Sequence, residues 1–295
     1  MTNMKKITLI VAAVLVALAG CKQQTSEEIL AAFEEVYNTS LTTYREAAKK
    51  VAADATLTAE QKSEKIEKFE EHFLEKVTEA GTRIIEKDPS NVEVVPAVLR
   101  KIYADMEEDD LAELLAKLGE EVKSDKFVTS LTESMAAKKA TAVGRKFKNF
   151  TVDHVSGVDK DGNPIYEKKS LSDFVGKGKV MLVDFWSPWC PPCKAEIPNI
   201  KKVWEKYHGD DFDVLSVAVW EESRGLDWRN TIDTAAFYGV NWLQLNNGHR
   251  EPATIYGIDG IPHMVLFGKD GVILKRGDAL RGENLEKAVS EVLGR

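Results

Sequence analysis

The stretch Phe185-Trp186-Ser187-Pro188-Trp189-Cys190-Pro191-Pro192-Cys193-Lys194-Ala195-Glu196 constrains this chain more than any other. It places two thiols three positions apart, shortly after an apolar run, Val180-Met181-Leu182-Val183. A short unbroken apolar run reads as a buried strand, and proline just after Cys190 reads as the first turn of a helix. Cys190 then sits at a helix N-terminus, where free N–H groups and the dipole favour a thiolate. Cys193 lies one turn on, on the same face, and can close a disulfide with it. Residues so arranged suit thiol–disulfide exchange, in which one thiolate attacks, a mixed disulfide forms and the second thiol resolves it. Zinc sites also use Cys-x-x-Cys, but they need a second ligand pair, and the one remaining cysteine is Cys21. No metal is expected, and no cofactor besides the redox-active disulfide Cys190–Cys193.

From about Val143 onward the chain resembles the TlpA/ResA-like thiol-disulfide oxidoreductase family, the membrane-tethered extracytoplasmic branch of the thioredoxin-fold proteins. The resemblance rests on Val183-Asp184-Phe185-Trp186, the Trp-Cys-x-x-Cys core, Glu196-Ile197-Pro198, Gly260-Ile261-Pro262 and Gly268-Lys269-Asp270-Gly271. It implies a thioredoxin-like three-layer α/β sandwich over residues 143–295, with Cys190 as nucleophile and Cys193 as resolving thiol. It also implies that Asp184 lies beneath the resolving cysteine and helps move its proton, and that Glu196 tunes the thiols. The residues themselves agree. A carboxylate in a buried strand is costly without a role or a partner, and Glu196 shares a helical face with Cys193. Pro262 is implied to be a cis-proline facing the cysteine pair, with the backbone at Ile261 pairing with a substrate strand; cis bonds are a proline speciality. Trp189 is expected to form an exposed apolar lip for substrate, and Trp186 to belong to the core. His263 stands where the family has threonine or another small residue; it is open to a role as proton donor or to packing aside, and strand alternation favours the second.

The Pro191-Pro192 pair bears on redox direction. Neither residue has an N–H, so two first-turn donors to a Cys190 thiolate are missing. No histidine lies between the cysteines. Cys190 is expected to be less acidic than in an oxidase and its disulfide relatively stable, which favours a reductase. Three other readings compete. A peroxiredoxin-type peroxidase uses a Pro-x-x-x-Thr-x-x-Cys setting; here Ser187 takes the threonine position and Val183 replaces the proline. A non-enzymatic envelope binding lipoprotein would not need both cysteines, the proline and both acids. A disulfide isomerase usually needs an obligate dimer, which the N-terminal domain leaves open.

The first residues read as targeting. Lys5 and Lys6 precede an apolar run, Ile7 to Leu18, too short for a comfortable membrane span, and Leu18-Ala19-Gly20-Cys21 follows at once. This resembles a bacterial lipoprotein signal, with residues 1–20 removed and Cys21 lipidated, leaving the protein anchored in the cell envelope and facing the periplasm. The three cysteines are then all assigned, and the mature chain has no structural disulfide. A reductant in an oxidising compartment must be recharged, which implies a membrane electron donor with its own cysteine pair beside the protein thiol or disulfide substrates. The net charge of −8 argues against a nucleic-acid partner.

Residues 21–142 are expected to form an all-α domain. Helical apolar spacing runs over Thr25–Lys50 and Thr58–Lys87, then over about 92–103, 111–118 and 127–139. Its charged faces read as solvated surface or as a docking or spacing module. Beyond it, strands are expected at Phe150–Val155, near Ile165-Tyr166, at Phe212–Val219, at Trp242–Leu245 and in a hairpin of Met264–Phe267 with Val272–Lys275. The family resemblance implies a short helix at Ser170–Phe174, and helices are expected at Asp227–Tyr238 and Leu285–Leu293.

Overall fold

The computed structural model describes residues 24–295, so the apolar leader and Cys21 lie outside the described residues. Two threonines open the first two helices. In α1 (Ser26–Ala53) the Thr25 hydroxyl accepts from the Glu28 N–H, while the Glu28 carboxylate accepts from the Thr25 N–H. Thr58 and Gln61 repeat this reciprocal cap at the start of α2 (Ala59–Lys87). Each cap satisfies two orphan donors of a helix start. α3 (Val94–Ile102), α4 (Glu108–Ala116), the four-residue α5 (Glu120–Lys123) and α6 (Lys126–Ala140) complete the helical part. Its core is apolar, with Phe33, Ile85, Val95, Leu99 and Ile102 almost fully buried. Gly81 in α2 allows close packing, since a Cβ there would meet the Ile102 side chain at 2.9 Å. The helical reading holds; α5 is the element that periodicity could not reveal, because one turn is too short to show a period.

The chain divides into two compact units, the first ending at Thr132 and the second running Glu133–Arg295. The division falls inside α6 rather than after it. The last turns of that helix belong to the second unit because Ser134 donates to Asp259 at 2.8 Å, Lys138 pairs with Asp259 at 2.6 Å, and the Thr141 carbonyl and hydroxyl both accept from Arg276.

The second unit is built on a five-stranded sheet of order β5-β4-β3-β6-β7, preceded by a hairpin of β1 (Thr151–Val158) and β2 (Pro164–Ser170). The sheet strands are β3 (Val180–Trp186), β4 (Phe212–Ala218), β5 (Leu243–Leu245), β6 (His263–Phe267) and β7 (Ile273–Arg276). β3 runs parallel to β4, and β4 to β5, whereas β6 is antiparallel to β3 and β7. Three helices connect them, α7 (Pro191–Tyr207), α8 (Trp228–Phe237) and α9 (Glu251–Ile255), and α10 (Glu283–Leu293) follows the last strand. All seven residues of β3 are buried, as a central strand requires. Its side chains alternate between two cores. Val180, Leu182 and Trp186 pack with Ile197 and Ile200 of α7 and Leu285 of α10; Met181, Val183 and Phe185 pack with Phe150 and Tyr256 on the other face. This is a thioredoxin-like α/β domain preceded by helices. β2 proves longer than expected, and α9 was hidden by its brevity.

Candidate active site

β3 ends at Trp186, and Cys190 becomes the N-cap of α7. Pro191 and Pro192 fill the first two helical positions, where a missing N–H leaves no intrahelical bond unmade. The next N–H, that of Cys193, points back at Cys190 Sγ at 3.1 Å. The prolines thus remove two donors and leave one aimed at the sulfur. Cys190 and Cys193 are joined in a disulfide with their Cα atoms 5.3 Å apart, and both are buried.

The Ile261–Pro262 peptide is cis. It leads into β6, beside β3, and brings the Ile261 carbonyl oxygen to 3.6 Å from Cys190 Sγ. The chain segment before the proline therefore flanks the disulfide. Trp189 is half-buried, packed on the α7 side of the core with the Arg224 guanidinium 4.7 Å from its ring centroid. It is partly covered rather than exposed as expected. The loop carrying Arg224 is pinned by Glu221, whose buried carboxylate accepts from the Thr231 hydroxyl and, at 2.9 Å, from the Gly248 N–H. Burial pushes the Glu221 carboxyl up to about 8, against the pull of the Gly248 bond and with a further push from the charge of Asp227.

Asp184 is buried in β3, facing the same core as Cys190 and Cys193 by strand alternation. Burial pushes its carboxyl up to about 7; the Ser216 hydroxyl, 3.4 Å from Oδ2, opposes that rise, and the negative charge of Glu196 adds to it. Oδ1 has no protein partner. Glu196 is also buried. Its Oε2 accepts from Asn199 Nδ2 at 3.0 Å and from the Gly282 N–H at 3.1 Å, and Arg281 lies 3.7 Å from Oε1. These three partners hold it in place, so it is not a solvated surface acid. The structure thus brings Asp184 and Glu196 within electrostatic reach of each other beside the cysteine-bearing turn of α7.

His263 packs aside, as alternation along β6 requires. Its Nε2 accepts from Arg276, at 3.2 Å from Nε and 3.1 Å from Nη2. Burial first, and then the Arg276 charge, depress its pKa to about 4, so the ring is neutral at pH 7. Sequence reasoning missed Ser216, Arg281, Asn199 and Arg276. Ser216 carried a signal, being a hydroxyl among the apolar residues Val214, Leu215, Val217 and Ala218. Asn199 stands one turn after Glu196 on α7, a spacing that counting residues could have found, whereas Arg276 at the end of β7 and Arg281 beyond it come from distant parts of the chain that no local pattern marks.

Residues 143–276 match the AhpC/TSA family. Among curated proteins, the chain is 25% identical to the thiol-disulfide oxidoreductase ResA of Bacillus subtilis over 140 residues, 48% of this chain and 69% of that protein. It is 26% identical to the ResA of Geobacillus thermodenitrificans over 162 residues, 55% of this chain and 79% of that one. Among solved structures it is similar to the thioredoxin domain of a thiol-disulfide oxidoreductase from Bacteroides vulgatus, at 26% identity and a TM-score of 0.39, covering 51% of this chain and 96% of that one.

Proposed function

We propose that this chain, whose C-terminal half is a thioredoxin-fold thiol-disulfide oxidoreductase domain, works as a lipid-anchored reductase on the periplasmic side of a membrane. The observation that carries the reading is the meeting of the Cys190–Cys193 pair with the carbonyl that precedes cis-Pro262, above a buried carboxyl near neutrality. In the reduced enzyme, the Cys190 thiolate attacks a substrate disulfide. A mixed disulfide forms between Cys190 and one substrate sulfur, and the other substrate sulfur leaves as a thiolate. Cys193 then gives its proton to Asp184 and attacks Cys190 Sγ, so that the first substrate sulfur leaves and the Cys190–Cys193 disulfide closes. Two electrons pass to the substrate, and a donor with its own cysteine pair returns them. Ile261 and Trp189 flank the incoming chain, and Glu196 sets the charge felt by Asp184.

The helix start supports this direction. Strong oxidants stabilise the attacking thiolate with positive charge and several N–H donors. Here two of the donors are replaced by prolines, and the buried ionisable groups nearby are both acids. The peroxidase alternative has less support, since Val183 occupies the proline position of that motif and Cys190 already has its partner within one turn. Equilibration with glutathione buffers tests the direction: a reducing potential close to that of thioredoxin is expected, and one near −120 mV, the approximate value of a strong oxidant, would overturn it. Anchoring is tested by mass spectrometry of the membrane-extracted protein, where an unmodified Cys21 thiol would refute lipidation. Substrates are to be captured as mixed disulfides on a Cys193→Ser variant.

A further inference from the structure

Asp184, Ser216 and Gln244 are successive partners across β3, β4 and β5, so they form one row across the sheet. Their neighbours along the strands, Leu182, Trp186, Val214 and Trp242, pack in the core that contains both cysteines. All three are buried. A polar row in such a place is destabilising unless its hydrogen bonds are assigned. Each of the two tryptophans beside it supplies a donor. Trp186 Nε1 donates to Gln244 Oε1 at 3.1 Å, and Trp242 Nε1 donates to Ser216 Oγ at 2.8 Å.

The second bond has a directional consequence. An indole N–H can only donate, and a serine hydroxyl has one proton. With the Trp242 N–H on its oxygen, Ser216 turns its own proton to Asp184 Oδ2, the acceptor it reaches at a long 3.4 Å, since Gln244 Oε1 already takes the Trp186 N–H and Gln244 Nε2 can only donate. That bond favours the ionised carboxylate, and it leaves Oδ1, which has no protein partner, as the oxygen open to a proton. We propose that Ser216, oriented by Trp242, is a positioning residue that keeps Asp184 able to act as the base for Cys193. The idea rests on the reading of Asp184 given above.

The charges around this pair are few. From α7, the two cysteines line the core that Asp184 faces, and the charge of Glu196 disfavours its ionisation. Arg281 touches Glu196 rather than Asp184. β4 and β6 offer Ser216 and the apolar Met264 as its direct neighbours. Burial and Glu196 therefore favour the proton, and Ser216 is the group that opposes them. Removing the hydroxyl leaves the carboxyl protonated to higher pH, where it cannot accept the proton of Cys193.

The test is the pH profile of kcat/KM for insulin reduction by the full chain, with a chemical dithiol as donor, between about pH 5 and 9. Asp184→Asn is expected to abolish the lower limb of the profile. Ser216→Ala is expected to move that limb up by about one pH unit. Ser216→Thr, which keeps the hydroxyl, restores the wild-type limb. Trp242→Phe frees the hydroxyl to turn and moves the limb in the same direction by less, and it serves as the second variant if Ser216→Ala does not fold. A limb that moves in neither Ser216→Ala nor Trp242→Phe, while Asp184→Asn abolishes it, would overturn the proposal and leave Asp184 as the base. A limb unaffected by Asp184→Asn would overturn the reading of Asp184 itself.

Discussion

The two compact units treat polar side chains in opposite ways. Of eleven buried polar or charged residues among the described ones, ten lie in the second unit, and the helical unit has Ser40 alone. The helical unit follows the ordinary rule: apolar groups go inside and charges stay in water, where ion pairs such as Lys101 with Glu34 contribute little. In the second unit, two carboxyls, Asp184 and Glu196, lie buried beside the disulfide turn, and each has its own set of partners. Burying a carboxyl costs stability, and a chain tolerates that where the altered protonation is put to use. The contrast points to the second unit without reference to any motif, and the disulfide then separates Asp184 and Glu196 from the third buried carboxyl, Glu221, which pins a loop.

The largest effect should come from the sulfurs. Cys190→Ser is expected to lower insulin reduction by at least roughly 10³-fold, whereas Ser40→Ala, at the buried polar position of the helical unit, should leave it unchanged. Equal losses in both would break the contrast. Next comes stability. The Asp184 carboxyl is raised from 3.8 to about 7 by burial, so the folded state binds a proton that the unfolded state has released. Stability is therefore lost as pH rises between about 4 and 7 and stays lower above it. Asp184→Asn, which removes the charge, should stabilise the second unit at pH 8 by up to about 4 kcal/mol and change little at pH 3.5. Denaturant midpoints at the two pH values check this; a variant less stable at pH 8 would show that the carboxylate is not a buried cost.

A smaller effect, of about 3 kcal/mol, is expected for Leu99→Ala in the helical core, read as an earlier unfolding transition of that unit. Activity per folded molecule should not change, since the redox residues lie beyond Thr132. Least of all should follow from removing the chain before Glu133. A fragment from Glu133 onward retains Ser134, Lys138 and Thr141 with their partners Asp259 and Arg276, and should reduce insulin within about twofold of the full chain. A fragment that folds but loses activity would assign the helical unit a part in the reaction.

The sequence by itself determined the local chemistry and the order of elements. Cys190, Cys193, their prolines and the strand before them are contiguous, and contiguous residues meet through helix and strand geometry alone. The helical unit was legible for a similar reason, since long periodic runs with threonine caps specify helices before any packing is known. Even Glu196 could be placed on the cysteine face by counting residues. Tertiary structure alone decided what surrounds these groups. Trp189 becomes half-buried because a loop 35 residues further along the chain lays Arg224 against it, from 189 to 224 in sequence. Glu196 is held by the Gly282 N–H and by Arg281, and Asp184 by a serine on the neighbouring strand, itself held by a tryptophan on the approach to the next. The physical reason is that a carboxyl's proton affinity depends on its burial and on partners distant along the chain. Sequence spacing shows where an acid stands; what its proton does depends on the neighbours that only the folded sheet assembles.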